Sequence, residues 1–145
     1  MLIKKLHEMA IVPKYATTGS AGLDLHAVAI TGLIEVPPTN VAVLVPTGLS
    51  MEIPVGVAGF IYPRSGLGHK NGIVLGNGTG VIDSDYRGQI FVSILNRGDE
   101  TFFIQHGDRI AQMVFMPVIQ FEIKVTDELE NTVRGAGGFG STGAK

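Results

Sequence analysis

Glycine and proline constrain this chain more than any other feature. Twenty glycines and seven prolines spread through 145 residues leave little room for a long helix. The runs between them are short and rich in Val, Ile and Phe, and few windows keep an apolar period of 3.6 over ten residues. This pattern predicts an all-β protein. Strands are expected at Leu2 to Leu6, Leu23 to Ala27, Gly32 to Val36, Val41 to Pro46, Ser50 to Ile53, Val57 to Tyr62, two arms within 73–82, Gln89 to Leu95, Thr101 to Ile104, Arg109 to Pro117 and Gln120 to Val125. Turn signals recurring every eight to twelve residues or so favour a sandwich or a jelly-roll-like β-barrel. The length suits one domain with its own core, and neither a linker nor an internal repeat divides it.

Charge narrows the partners. A net charge of −2 argues against single-stranded or duplex nucleic acid, which needs a clustered excess of Lys and Arg. A small anionic ligand needs only a few well-placed cations. The absence of cysteine removes disulfides, thiolate nucleophiles and Cys-ligated zinc. The first residues, MLIKKLHEMAIVPKYA, carry Lys4, Lys5 and Glu8 and no apolar run of signal length. No window approaches the roughly 20 apolar residues of a membrane helix. A soluble cytoplasmic protein without membrane partners is expected.

The stretch NGIVLGNGTGVIDSDYRGQIFVSIL, residues 71–95, is the strongest candidate site. Ile73, Val74 and Leu75 run into Gly76, Asn77, Gly78, Thr79 and Gly80, and Val81 and Ile82 resume the apolar run, which predicts a hairpin centred on Asn77-Gly78. Its glycines leave main-chain N–H and C=O groups uncovered, able to bond the edge of a flat heterocycle as one strand bonds another. Asp83, Asp85, Tyr86 and Arg87 follow directly. Such a cluster reads either as an ordinary turn or as a site beside an exposed backbone edge.

Four other stretches carry polar groups in suggestive places. In Gly22-Leu23-Asp24-Leu25-His26, Leu23 and Leu25 face one side of a strand and Asp24 and His26 the other. Asp24 is either a solvated strand charge or a carboxylate placed for Mg²⁺, often through water. In Pro63-Arg64-Ser65-Gly66, Ser65 is a good N-cap for a short helical turn, so the segment is either a capped turn or a phosphate site. In Arg109 to Phe115, alternation puts Ile110, Gln112 and Val114 on one face, which makes Gln112 a polar group in need of a partner. The end, Arg134 to Lys145, has five glycines in twelve residues. It is either a frayed tail or an arm that orders over a ligand through Arg134, Phe139, Ser141 and Thr142. Its G-x-G-x-x-G match precedes no helix, so a dinucleotide fold is excluded. His7, His26, His69 and His106 lack zinc-ligand spacing and read as surface groups or as supports around a site.

Taken in order, AGLDLHA, PRSGLGHK, GNGTGVIDSDYRG, GDRIAQMVF and RGAGGFGSTG resemble the five motifs of the homotrimeric dUTPase family, over residues 21–143. The resemblance implies a jelly-roll-like β-barrel over residues 1–133 with one short helical turn, and a flexible Gly-rich arm, 134–145, closing over the active site. It implies a homotrimer with active sites at subunit interfaces and Mg²⁺ as cofactor. The implied reaction converts dUTP to dUMP and pyrophosphate, limiting uracil incorporation into DNA and supplying dUMP for thymidylate synthesis.

By similarity Asp83 is the general base for the attacking water. Asn77, Gly80, Val81 and Ile82 read the uracil edge with backbone groups, Tyr86 lies against the deoxyribose, and Phe91 lines the substrate. Arg64, Ser65 and Gly66 bind phosphate, Gln112 contacts the α-phosphate region, and Asp24 holds Mg²⁺ through water. Arg134, Ser141 and Thr142 close on the outer phosphates while Phe139 stacks on the base, and Gly140 also belongs to the substrate-binding set. Asp85, Asp108 and Arg109 support loops and interfaces, and Arg87 has no implied role. The related dCTP deaminase shares the fold, but it would have to present a different pocket edge to an exocyclic amine.

Overall fold

The computed structural model describes residues 1–138. Among these, eleven strands and one helix follow the predicted order: β1 (Leu2–Lys5), β2 (Leu23–His26), β3 (Ile34–Val36), β4 (Val43–Pro46), β5 (Leu49–Glu52), β6 (Val57–Tyr62), α1 (Ser65–Asn71), β7 (Ile73–Leu75), β8 (Gly80–Ile82), β9 (Phe91–Asn96), β10 (Phe102–Ile104) and β11 (Arg109–Pro117). Backbone pairing gathers the strands into four sheets: β1-β5, β3-β10, β4-β9-β7 and β2-β11-β6-β8. Every named pair is antiparallel. The all-β architecture is the expected one, assembled as separate sheets around one core without a closed ring of hydrogen bonds.

The core follows from strand alternation. Leu23 and Leu25 of β2 and Val92 and Ile94 of β9 point inward while their neighbours are more exposed. Leu25, Leu49, Met51, Ile90, Ile104 and Met113 complete the most deeply buried set. Each such side chain contributes about 1.5–3 kcal/mol by leaving water. The buried polar residues Thr47, Ser50 and Asn96 are bonded, as burial requires. Thr47 Oγ1 donates to Ile90 O at 2.7 Å, and Asn96 Nδ2 donates to Val36 O and Glu100 O, both at 2.8 Å.

Three expectations are corrected. Residues 120–125 form no strand; this segment leaves β11 and finds no pairing partner within the described chain, so its alternation goes unused there. Ile110 does not share the face of Gln112, because a β-bulge between Arg109 and Ala111 turns both Ile110 and Ala111 inward. Finally, Arg64 occupies the N-cap of α1 in extended conformation with no side-chain cap bond, so Ser65 is the first helical residue and caps nothing.

Candidate active site

The predicted hairpin is in fact a junction between sheets. Strand β7 pairs with β9, with Leu75 opposite Ile94, whereas β8 pairs with β6, with Gly80 opposite Ile61 and Ile82 opposite Gly59. The two arms therefore do not pair with each other, and each is the outer strand of its own sheet. Gly78, at φ +72°, turns the chain between them. Between the arms lies a cavity of about 140 Å³, lined by Leu75, Asn77, Gly80, Val81 and Ile82 and backed by Ile61, Leu44, Phe91, Val92 and Ser93. A planar ligand with donors and acceptors on its edge can occupy the place a pairing strand would take.

At the rim the chain bends through Asp83 to Gly88. A second cavity of about 210 Å³ is lined by Val81, Ile82, Asp83, Tyr86, Gln89 and Phe91. A larger one, about 660 Å³, is lined by Asp83, Ser84 and Asp85 together with Val55 to Ala58, Val118 and Gln120. Asp83 borders both. The turn is held locally: Tyr86 Oη donates to Gln89 O at 2.8 Å, and Tyr86 N donates to Asp83 O at 3.2 Å. Arg87 also takes a place here. Its Nη1 donates to Ser84 O and Tyr86 O at 2.7 and 3.1 Å, and its carbonyl accepts from Ser50 Oγ at 2.8 Å.

Two other cationic residues, Arg64 and Arg109, gather elsewhere, on the outward face of β2-β11-β6. Asp24 and Tyr62 flank Gln112 in register. The Asp24 carboxylate accepts from Arg64 Nε at 3.0 Å and from Arg109 Nη1 at 3.2 Å, and Arg64 Nη1 also reaches Arg109 O at 3.4 Å. Exposed ion pairs contribute only about 0–1 kcal/mol, so the consequence is geometric: one carboxylate aims two guanidiniums. Gln112 Nε2 donates to Pro63 O at 3.1 Å, which fixes the residue before Arg64. His26 lies beside this group, across from Arg109. Its Nδ1 is buried without a hydrogen-bond partner among the described residues, and burial lowers its pKa despite the nearby Asp24 charge. Ser65 and Gly66 are exposed at the start of α1.

The chain does not bring these two groups together. Ile82, next to Asp83, stands opposite Gly59 near the start of β6, while Arg64 follows the far end of that strand. At about 3.3 Å per residue, they lie roughly 15–20 Å apart. Arg134 is exposed, its Nε donating to Gly137 O at 3.0 Å within its own turn. Phe139, Gly140, Ser141 and Thr142 lie outside the described residues. Sequence reasoning missed Leu44, Ile61, Leu75, Val92 and Ser93 of the cavity between the arms. Only the outward parity of Leu44 and Ser93 on β4 and β9 could have pointed to them.

An all-β scaffold with a cavity between two outer strand edges, an acidic rim and a separate guanidinium cluster fits a nucleotide-processing enzyme. The chain belongs to the dUTPase family, whose model matches residues 8–143. It is 56% identical to the deoxyuridine 5'-triphosphate nucleotidohydrolase of Citrobacter koseri and 54% identical to that of Shewanella pealeana, in each case over 92% of this chain and 88% of the relative. Among solved structures it is similar to the dUTPase of Staphylococcus bacteriophage 80alpha with dUPNHPP, with a TM-score of 0.88 and 26% identity, covering 98% of this chain and 97% of that one. A mutant dUTPase from phage phi11 of S. aureus, described with a structural Mg(II) ion, shares the fold at a TM-score of 0.80 and 24% identity, over 90% and 98% of the two chains.

Proposed function

We propose that this chain hydrolyses dUTP to dUMP and pyrophosphate at sites completed between subunits of a homotrimer. The observation that carries the reading is the slot between the outer edges of β7 and β8 with Asp83 at its rim, in a chain of this family. In this reading the backbone of Gly80, Val81 and Ile82, with Asn77, bonds the uracil edge. A pocket closed tightly around the base would reject a 5-methyl group by shape, which disfavours thymine. Tyr86 covers the sugar where a 2′-hydroxyl would stand, and Phe91 lines the same wall.

Asp83 takes a proton from water as the water oxygen bonds to the α-phosphorus. The bond from that phosphorus to the oxygen bridging toward the β-phosphorus breaks, and pyrophosphate leaves with the electron pair. General-base assistance supplies about 10²–10⁴-fold, so positioning and charge neutralisation must supply the larger part. Arg64, the Ser65 and Gly66 N–H groups and Gln112 serve the phosphates. Residues 134–145 act as an arm on the body formed by 1–133, bringing Arg134, Phe139, Gly140, Ser141 and Thr142 over the ligand.

The donor set suits a Mg²⁺ that arrives with the triphosphate. Among the described residues no cluster of three or more His, Cys, Asp or Glu could cage a metal. Mg²⁺ typically keeps several waters and takes one or two carboxylates plus substrate phosphates. Asp24 would hold it through water, and when bound it neutralises charge on the phosphate oxygens.

Two features support assembly. The rim and the guanidinium cluster stand roughly 15–20 Å apart along one chain, which favours a site that a neighbouring copy completes. Beyond β11, Ile119, Phe121, Ile123 and Val125 alternate with polar residues and are 77–97% exposed, an apolar stripe suited to burial against another copy. No helix among the described residues is long and apolar enough to cross a membrane. The nucleotide substrate is consistent with a cytoplasmic role in keeping uracil out of DNA and supplying dUMP for thymidylate synthesis.

Pyrophosphate release measured across dUTP, dCTP, dTTP and UTP should occur with dUTP alone at an appreciable rate. Asp83→Asn should keep nucleotide binding and lose at least about 10²-fold in turnover. Turnover of dCTP to a uridine nucleotide without pyrophosphate, or an undiminished Asp83→Asn, would overturn the reading.

A further inference from the structure

We propose that Ala42, which contacts no reacting group, is a positioning residue for base recognition: it is the stop against which Gly76 rests, and it thereby sets the width of the slot between β7 and β8. The inference rests on reading that slot as the base pocket. Gly76 is absent from the positive-φ glycines, so its backbone does not require glycine. Space requires it: a Cβ on Gly76 would lie 2.5 Å from Ala42 Cβ and 2.7 Å from Ser93 Oγ. The two neighbours are not equivalent. Ser93 Oγ can turn away about χ1, whereas Ala42 Cβ moves only with its backbone. That backbone leads directly into β4, whose Val43 and Leu44 are locked opposite Ile94 and Ser93.

The contact reaches the slot from both sides. Gly76 N donates to Ser93 O at 2.9 Å, tying the root of the slot to β9. Leu75 and Asn77, which flank Gly76, line the slot on one side, and Leu44 and Ser93 line its back. Pushing Gly76 away from Ala42 therefore shifts the wall that carries Leu75 and Asn77, while the rim at Asp83 stays on β8 and β6. Base binding should suffer, and the hydrolytic step should not.

The test uses the full chain and steady-state pyrophosphate release from dUTP with four variants: Gly76→Ala, Ala42→Val, Ala42→Gly and the double variant Ala42→Gly/Gly76→Ala. Gly76→Ala and Ala42→Val should each raise KM by about 10-fold or more, the scale at which a pocket senses one methyl or methylene, with kcat within about threefold. In the double variant the methyl has moved across the contact, and KM should return to within about threefold of the unmodified chain. Thermal melting identifies any variant that fails to fold. Because Ala42→Val leaves Gly76 in place, it probes the contact independently of Gly76→Ala. Unchanged KM in both single insertions, a fall confined to kcat, or a double variant no better than Gly76→Ala would overturn the inference. An unmodified chain that releases no pyrophosphate from dUTP would overturn the functional reading and this inference with it, whereas an active chain with insensitive variants would overturn the inference alone.

Discussion

Asp24, Arg64 and Arg109 are 40 and 85 positions apart in their pairings, yet one carboxylate holds both guanidiniums. Their motifs were legible as separate polar groups on strands or turns. That they converge was not, because strand partnership and not sequence spacing decides which outward side chains share a face. Alternation makes His26 a surface or supporting group and gives no sign that its Nδ1 is buried without a bonding partner among the described residues. Its titration makes a prediction. Burial, opposed by Asp24 and reinforced by Arg109 and Arg64, lowers its pKa below the ordinary value of about 6.5. The unfolded chain therefore binds a proton at higher pH than the folded one. The folded state keeps its full advantage above that ordinary value and loses it as pH falls toward the lowered one. Chemical denaturation at several pH values should show stability falling below about pH 6.5, and His26→Asn should flatten that dependence. An equal slope in both proteins would remove His26 as the cause.

At the scale of elements, the glycine-spaced bend was legible and its pairing was not. Local sequence marks where a chain turns, but here β7 and β8 gain more by joining β9 and β6 than by joining each other. The predicted strand at 120–125 failed for a related reason: period-two alternation gives a face to bury, and the partner for that face is not in the described chain. The turn after β8 makes a second prediction. Gly88 leaves room for the ring of Tyr86, whose Cζ would be 2.5 Å and Cε2 2.9 Å from a Cβ placed there. Gly88→Ala should displace the ring and lower the preference for dUTP over UTP by about 10-fold, measured as the ratio of kcat/KM values. An unchanged ratio would separate Tyr86 from sugar selection.

For the whole molecule, the proposed assembly predicts that a solitary chain, with rim and guanidinium cluster divided, is incomplete. Phe121→Asp places a charge in the exposed stripe, where Phe121 is 79% exposed and is not among the side chains packed against the core. The variant should fold with an unchanged melting transition in dilute solution but assemble poorly. Specific activity should fall on dilution at concentrations where the unmodified chain stays constant, checked by light scattering. Assembly and activity insensitive to the substitution would place the subunit contact elsewhere. One further consequence follows from the outer edges of β7 and β8. Exposed sheet edges invite pairing with strands from other molecules, yet each of these has only three residues and faces a cavity of about 140 Å³. In the proposed reading a base seated in the slot takes up the bonding groups of these edges, and their shortness leaves little for a foreign strand to pair with. The ligand site would then also guard the edges against aggregation.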